Sequence, residues 1–368
     1  MIAVPVLCYH QVAPSEAVTP EVFEDHLGAI AGAGYSTVTV SELAAWMRGE
    51  GDLTLPAVAI TFDDGFAATW TYAAPHLRRR GMRATAYVIT SRVGEGAVRT
   101  TTDDGPVESP PRGSRIHKEA TRSPGPSPWH CNWAELAAMA ECGAFEVGSH
   151  GELHARYFTD DRVVGFLHEG SGRWSYAWAT GGDRRVGLPV HPHKSSLWGA
   201  RYYHDAALFD SVADYVAQRG GEGFFADSPK AAERELRRVV ADWRARHGDG
   251  GRLESGEECR ARILGELAES RRLIEERLCA PCRSLCWPWG EYTGLSLALA
   301  AEAGYTSAAT VERGPNVGGG DPMRIFRIPG KAVSGRTLLR ALAVGRSPLR
   351  SRVAAAVKRL ERHSDKYV

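Results

Sequence analysis

The stretch "AVAITFDDGFAATWTYAAPHLRRRGMRATAYVI", residues 57–89, decides the fold of this chain. Its first six residues form a short apolar strand that ends on two adjacent carboxylates, Asp63 and Asp64, with Gly65 immediately after. The following "ATWTYAAPHLRRRG" reads as a helix closing at Gly81, and "MRATAYVI" reads as the next strand. Strand, helix and strand in one short run make a βαβ unit, which belongs to a parallel sheet. Two like charges side by side repel, so their place at the end of a strand asks for a chemical reason.

The same unit recurs on both sides of this stretch. Thr19-Pro20 reads as an N-cap and N1 proline, starting a helix that ends near Gly32 or Gly34 before the strand "YSTVTV". "NWAELAAMAECG" begins with Asn132 and Glu135 at capping-box spacing and leads into "AFEVGS". Ser255 and Glu258 repeat that spacing at the head of a long helix whose stripe is Ile263, Leu267, Ile274 and Leu278, and "SLCW" follows it. "SLALAAEAG" and "YTSAATV" give another copy. With the opening "AVPVLCY" and the late "RIFRI", the count is about eight strands separated by helices, a parallel α/β fold. An open doubly wound sheet fits that alternation. A distorted (β/α) barrel of about 7–8 strands fits better, because His10, Asp63-Asp64, His150 and "WPWG" all stand at strand ends, where barrels build their sites.

Residues 157–256 break the rhythm with a Gly-, Trp-, Tyr- and His-rich stretch, read as an insertion near the barrel mouth. The expected organisation is a barrel over 1–330, interrupted by that insertion, and a basic tail over 331–368 with ten Lys/Arg against two acids. Residues 98–130 read as a long Pro/Gly/Ser-rich loop. The net charge of +1 gives no reason to expect a nucleic-acid partner. The opening "MIAVPVLCYHQVAP" lacks the pattern of a signal peptide and no run of 18 apolar residues occurs, so the expected compartment is the cytoplasm. The tail "SPLRSRVAAAVKRLERH" suits an amphipathic helix that touches the inner membrane face. Seven cysteines make no disulfide framework, and "CAPCRSLC" is read as buried or incidental thiols.

A second cluster accounts for the aspartates. His150 and His154, four apart, are expected to face one way on a helical turn and reach a single ion. One aspartate from a neighbouring strand end completes a three-ligand site. The other stays uncoordinated as a general base, its charge tolerated because of the cation.

Here the sequence resembles the polysaccharide deacetylases, nodulation-protein-type carbohydrate esterases that remove N-acetyl groups from amino sugars. "TFDDG" and "SHGELH" look like that family's first two motifs, and "LCWPWGEY", "VLCYHQV" and "RIFRIP" are similar to its poly-N-acetylglucosamine deacetylase branch. The resemblance implies a distorted (β/α) barrel holding one divalent metal ion, Zn²⁺ before iron, cobalt or nickel, on Asp64, His150 and His154. It implies Asp63 as the base, and Trp287, Pro288, Trp289, Gly290 and Tyr292 as the wall for a sugar. Trp174, Trp178, Trp198, Tyr202 and Tyr203 of the insertion are expected to extend that wall.

The chain departs from the family at the acid, because no late Leu-x-His motif occurs. His10 is the first choice for that role, with His191, His193 and His204 as alternatives, and Arg327 stands in for the family's arginine beside the catalytic aspartate. The expected substrate is an N-acetylated glycan or a lipid-linked amino sugar. The alternatives are a deformylase acting on a lipid-linked amino sugar and a non-catalytic carbohydrate-binding protein.

Overall fold

The computed structural model describes residues 2–123, 125–171 and 176–364, with side chains described to residue 358. Eight parallel strands form one curled sheet: β1 (Val6–Tyr9), β2 (Ser36–Val38), β3 (Ala57–Phe62), β4 (Ala84–Val88), β5 (Phe145–Ser149), and three later strands, Ser284–Cys286, Ser307–Ala309 and Ile328–Pro329. From one edge the order runs Ser307–Ala309, Ser284–Cys286, β5, β4, β3, β1, Ile328–Pro329. β2 shares one edge of β3 with β4, pairing Val38 with Ala59 below the point where Thr61 meets Thr85. The two ends of the sheet approach through a single parallel bridge, Ala309 to Ile325, so the barrel closes irregularly, as a distorted (β/α) barrel.

Alternation along the strands sorts the side chains into two layers. Val58, Ile60 and Phe62 of β3 face the helices and join Leu7, Phe23, Leu136, Ile263 and Leu285. Ala57 and Ala59 belong to the inner layer with Val6, Tyr87, Cys286 and Ala309. Thr61 and Asp63 continue that inward parity, which carries Asp63 to the C-terminal end of the barrel interior.

Helices form where the capping pattern predicts them, α1 over Pro20–Gly32 and the long helix over Gly256–Leu278. The strand "YSTVTV" is shorter than its composition suggests. Thr39 caps a helix the periodicity does not announce, α2 (Val40–Arg48), through a reciprocal box with Glu42. The stretch after Gly65 begins as a π-turn, Thr69–Ala73, before α3 (Ala74–Arg79). The Pro/Gly/Ser-rich loop contains α4 (Gly113–Ala120), and α5 (Trp133–Glu141) follows. Arg92, buried, donates to the carbonyls of Ala120, Ser123 and Gly125 and anchors the end of α4.

Between residues 156 and 253 the described residues hold three short antiparallel ladders, Arg156–Phe158 with His193–Ser195, Gly165–Phe166 with Pro189–Val190, and Tyr202–Tyr203 with Arg252–Leu253. The helices Ala206–Ala217 and Pro229–His247 share an apolar cluster with Phe166. No helix among the described residues is long and apolar enough to cross a membrane.

Candidate active site

β3 ends with Asp63 N donating to Tyr9 O at 2.9 Å, which keeps the first carboxylate inside the barrel. Asp64 and Gly65 then turn left-handed, at φ 72° and 68°. That turn separates the two carboxylates and gives them different partners. A Cβ on Gly65 would stand 2.9 Å from Val88 Cγ1 and 3.2 Å from Val88 Cα, so the turn admits glycine alone.

Asp63 is fully engaged by Arg327. The guanidinium donates from Nη1 to Oδ1 at 2.7 Å and from Nη2 to Oδ2 at 2.9 Å, with both residues buried. The Cys8 and Cys286 thiols each lie 3.5 Å from Oδ2 and stay neutral because burial pushes them up. Burial is the largest single influence and would raise the Asp63 carboxyl, but the Arg327 charge and hydrogen bonds together with the nearby His150 and His10 outweigh it and hold the group at about 2.

Asp64 faces the histidines. His150 Nε2 lies 3.4 Å and His154 Nε2 3.6 Å from Asp64 Oδ1. His150 N donates to Val88 O at 2.8 Å, and its Nδ1–H donates to Cys286 O at 2.8 Å, which leaves the Nε2 lone pair toward the carboxylate. The two histidines do not lie on a helical turn. Gly151 at φ 76° and His154 at φ 51° fold the segment into a loop. Burial and the neighbouring His150 hold the His154 imidazole well below its ordinary range, so it stays neutral. The loop rests on Glu266, whose Oε1 accepts from Ser196 Oγ at 3.0 Å and Leu153 N at 3.4 Å; burial pushes its carboxyl up to about 7.

The donor atoms of Asp64, His150 and His154 all lie within 4.8 Å of one another. A lone pair opposite a carboxylate needs positive charge between them, and three such donors converging on one point fit a metal ion. Backbone strain gathers at the same place. Asp64, His154 and Trp289 are three of the four described non-glycine residues with positive φ.

These residues line a cavity of about 530 Å³ together with His10, Phe66, Gly113, Ser114, His117, Trp287, Gly290 and Val311. His10 is exposed at the mouth beside Asp63. The Trp289 ring lies 4.6 Å from the His154 ring, centroid to centroid. Other expectations are corrected. Pro288 packs against Gly151, and Tyr292 stacks on Trp287 with its hydroxyl on Glu312, so neither is among the lining residues. Trp178, Trp198, Tyr202 and Tyr203 are also absent from the lining, their rings being held against Arg92, Lys194, His191 and Arg201. Trp174 lies outside the described residues. His191 and His204 pack on Phe158 and Phe209 and His193 against Tyr176, within the insertion. Of the four proposed acids the structure brings only His10 to the cavity.

His117 was not anticipated. Its Nε2 lies 3.1 Å from Asp64 Oδ2, from a helix inside the stretch read as loop. The available signal was Ile116 and Ala120 four apart in "GSRIHKEA", both now buried.

The class that fold and site define is a (β/α) barrel with an Asp-His-His cluster at its C-terminal strand ends. Residues 50–177, about a third of the chain, match the family model "Polysaccharide deacetylase". The chain is 32% identical over 92 residues to YxkH of Bacillus subtilis (strain 168), a protein named by inference as a polysaccharide deacetylase. That match takes in 24% of this chain, and the chain spans only a third of that relative's length, 33%. Three solved structures share the fold. The BpsB deacetylase domain of Bordetella bronchiseptica has a TM-score of 0.54 and 19% identity, covering 89% of this chain and 95% of its own. A de-N-acetylase from Aggregatibacter actinomycetemcomitans has 0.56 and 15%, covering 92% and 99%. IcaB from Ammonifex degensii has 0.51 and 17%, covering 94% and 98%.

Two outcomes are expected from this geometry. Arg327→Met strands a buried carboxylate and should lower unfolding free energy by about 3–5 kcal/mol, a loss that Arg327→Lys, lacking the two-point fork, should not repair. A change below about 1 kcal/mol in denaturant titrations would rank the pair with surface bridges. Glu266 carries the pH prediction. Between about pH 4.5 and about pH 7 the folded chain holds a proton that the unfolded chain has released, so this group costs stability as pH rises through that window. Glu266→Gln should flatten the stability slope between those limits relative to wild type, and an unchanged slope would contradict the assignment.

Proposed function

We propose that the protein is a hydrolase that removes an N-acetyl group from an amino sugar in a glycan. The observation that carries this reading is the division of labour between neighbouring aspartates, Asp63 clamped by Arg327 and Asp64 aimed at two imidazoles. Asp64, His150 and His154 would hold one divalent ion, with Zn²⁺ our choice, though the donor set also suits iron, cobalt or nickel. Such an ion supplies a Lewis acid that polarises the acetamide carbonyl and makes a water acidic.

The remaining work falls to this chain's own side chains. Asp63, kept ionised and oriented by Arg327, is placed to accept a proton at the cavity floor. His10, at the mouth, is placed to return one to the departing amine. Trp289, half-buried at the cavity wall, supplies aromatic surface for the sugar ring or the acetyl methyl, with the buried Trp287 packed behind it. Seven unpaired thiols suit the reducing cytoplasm, which we retain as the compartment.

The terminal helix Pro348–Ser364 supports a peripheral contact with anionic lipid. Leu349, Val353 and Val357 stand four apart, 73%, 57% and 51% exposed, and Arg350 and Arg352 are exposed on the same helix. The preceding helix, Gly335–Arg346, ends where Arg346 O accepts from Ala3 N, near the start of β1 and so at the end of the barrel opposite the cavity.

Asp64→Ala, His150→Ala and His154→Ala should each lose the ion in metal analysis of purified protein. Asp63→Asn should keep it and release acetate from N-acetylglucosamine oligomers about 10²–10⁴ times more slowly than wild type. A wild type that takes up no metal, or that releases formate from a formylated amino sugar in preference to acetate, would refute the reading. In sedimentation with vesicles, the full chain should follow phosphatidylglycerol-containing vesicles and not pure phosphatidylcholine, and Val353→Glu should weaken that binding; equal sedimentation of both proteins would remove the membrane contact.

A further inference from the structure

His117 lines the cavity, and the sequence motifs give it no role. It belongs to α4, far from both motifs in sequence, and two independent sets of bonds hold that helix. At its start Gly113 N donates to Glu16 Oε1 at 2.6 Å, and Gly113 lies against the Phe66 ring. At its end are the Arg92 bonds to Ala120, Ser123 and Gly125, and Arg184 adds bonds to Lys118 O at 3.0 Å and to the Thr121 hydroxyl. The imidazole plane is fixed as well. It stacks on His154 at 5.4 Å between centroids and 22° between planes, and it meets Phe66 edge-on at 5.5 Å and 72°.

The decisive feature is which oxygen each imidazole meets. His150 and His154 approach Asp64 Oδ1, whereas His117 approaches Oδ2 at 3.1 Å. Among the described residues, the sets of three donors within 4.8 Å of one another include Asp64 with His150 and His154, and none includes His117. Opposite an ionised carboxylate oxygen, Nε2 must carry the hydrogen and donate it. A carboxylate free to rotate about its terminal torsion offers either oxygen or both, since that torsion is broad. One tied at Oδ2 offers Oδ1 alone.

We propose that His117 is a positioning residue, whose Nε2–H bond to Asp64 Oδ2 turns Oδ1 toward His150 and His154 and makes Asp64 a one-oxygen ligand. The inference rests on the metal-site reading above. It assigns α4 a function: the helix closes one side of the cavity and carries the group that orders the ligand set from outside it. Partners of this kind, which orient a ligand without touching the ion, change metal affinity by about 10–100-fold when removed.

The test is metal affinity of the full-length chain, stripped with a chelator and titrated with Zn²⁺ against a chromophoric competitor, alongside the visible spectrum of the Co²⁺-loaded protein. His117→Ala should bind Zn²⁺ about 10–100-fold more weakly than wild type and change the Co²⁺ bands as Asp64 becomes free to chelate through both oxygens. His117→Gln, which places an N–H donor where Nε2 stands, should restore most of the affinity and the wild-type spectrum. A helix that merely packed badly would not be rescued so selectively. If His117→Ala matches wild type in affinity and spectrum, the proposal is overturned while the metal site stands. If His117→Gln is as weak as His117→Ala, an imidazole is required as a ligand in its own right and the positioning role is overturned. A wild type that binds neither ion overturns the metal-site reading and this inference with it.

Discussion

The bidentate pair between Arg327 and Asp63 is the contact on which the rest of the architecture depends. Arg327 precedes the last strand, Asp63 follows β3, and β1 stands between those strands in the sheet. The same guanidinium donates to Thr61 Oγ1 and Thr310 O and touches Cys286 Sγ, so one buried cation ties together the ends of several strands. Where the backbone ladder supplies a single bridge, from Ala309 to Ile325, this side chain completes the closure. Burying a charge is costly unless its bonds are satisfied, and this one has both carboxylate oxygens and a carbonyl to meet. Closure of the barrel and ionisation of the aspartate are therefore the same interaction.

From that point the site follows by parity and by strain. Inward parity along β3 brings Asp63 into the barrel, and one left-handed residue sends Asp64 elsewhere. Two adjacent carboxylates can both stay charged because one faces a guanidinium and the other accepts from the His117 imidazole. Left-handed backbone at Asp64, His154 and Trp289 costs conformational energy, and it persists because packed neighbours over-determine it, as with Val88 against Gly65 and Trp289 against His154.

Much of this was legible in the sequence because the signals are local. A capping box, a glycine closing a helix and an apolar run ending in Asp-Asp-Gly each act over a few residues, and repetition of the unit made the parallel sheet readable. The pairing of Arg327 with an aspartate 264 residues away was legible only through the resemblance of "RIFRIP" to a family motif. α2 was hidden because "TVTV" favours a strand until Thr39 finds Glu42. α4 was hidden because a helix of eight residues among prolines has too few turns to show a period.

The sequence by itself determined the strand and helix alternation, the positions of the carboxylates and imidazoles at strand ends, and the residue types able to hold a cation. Those properties depend on neighbours in the chain. Tertiary structure alone decided which aromatic residues line the cavity, which of the candidate histidines reaches it, and that His117 meets Asp64. Those outcomes depend on where separate segments come to rest. A turn such as Gly151 to His154, or the closure made by Arg327, sets that position through long-range packing, and no local pattern of residues encodes it.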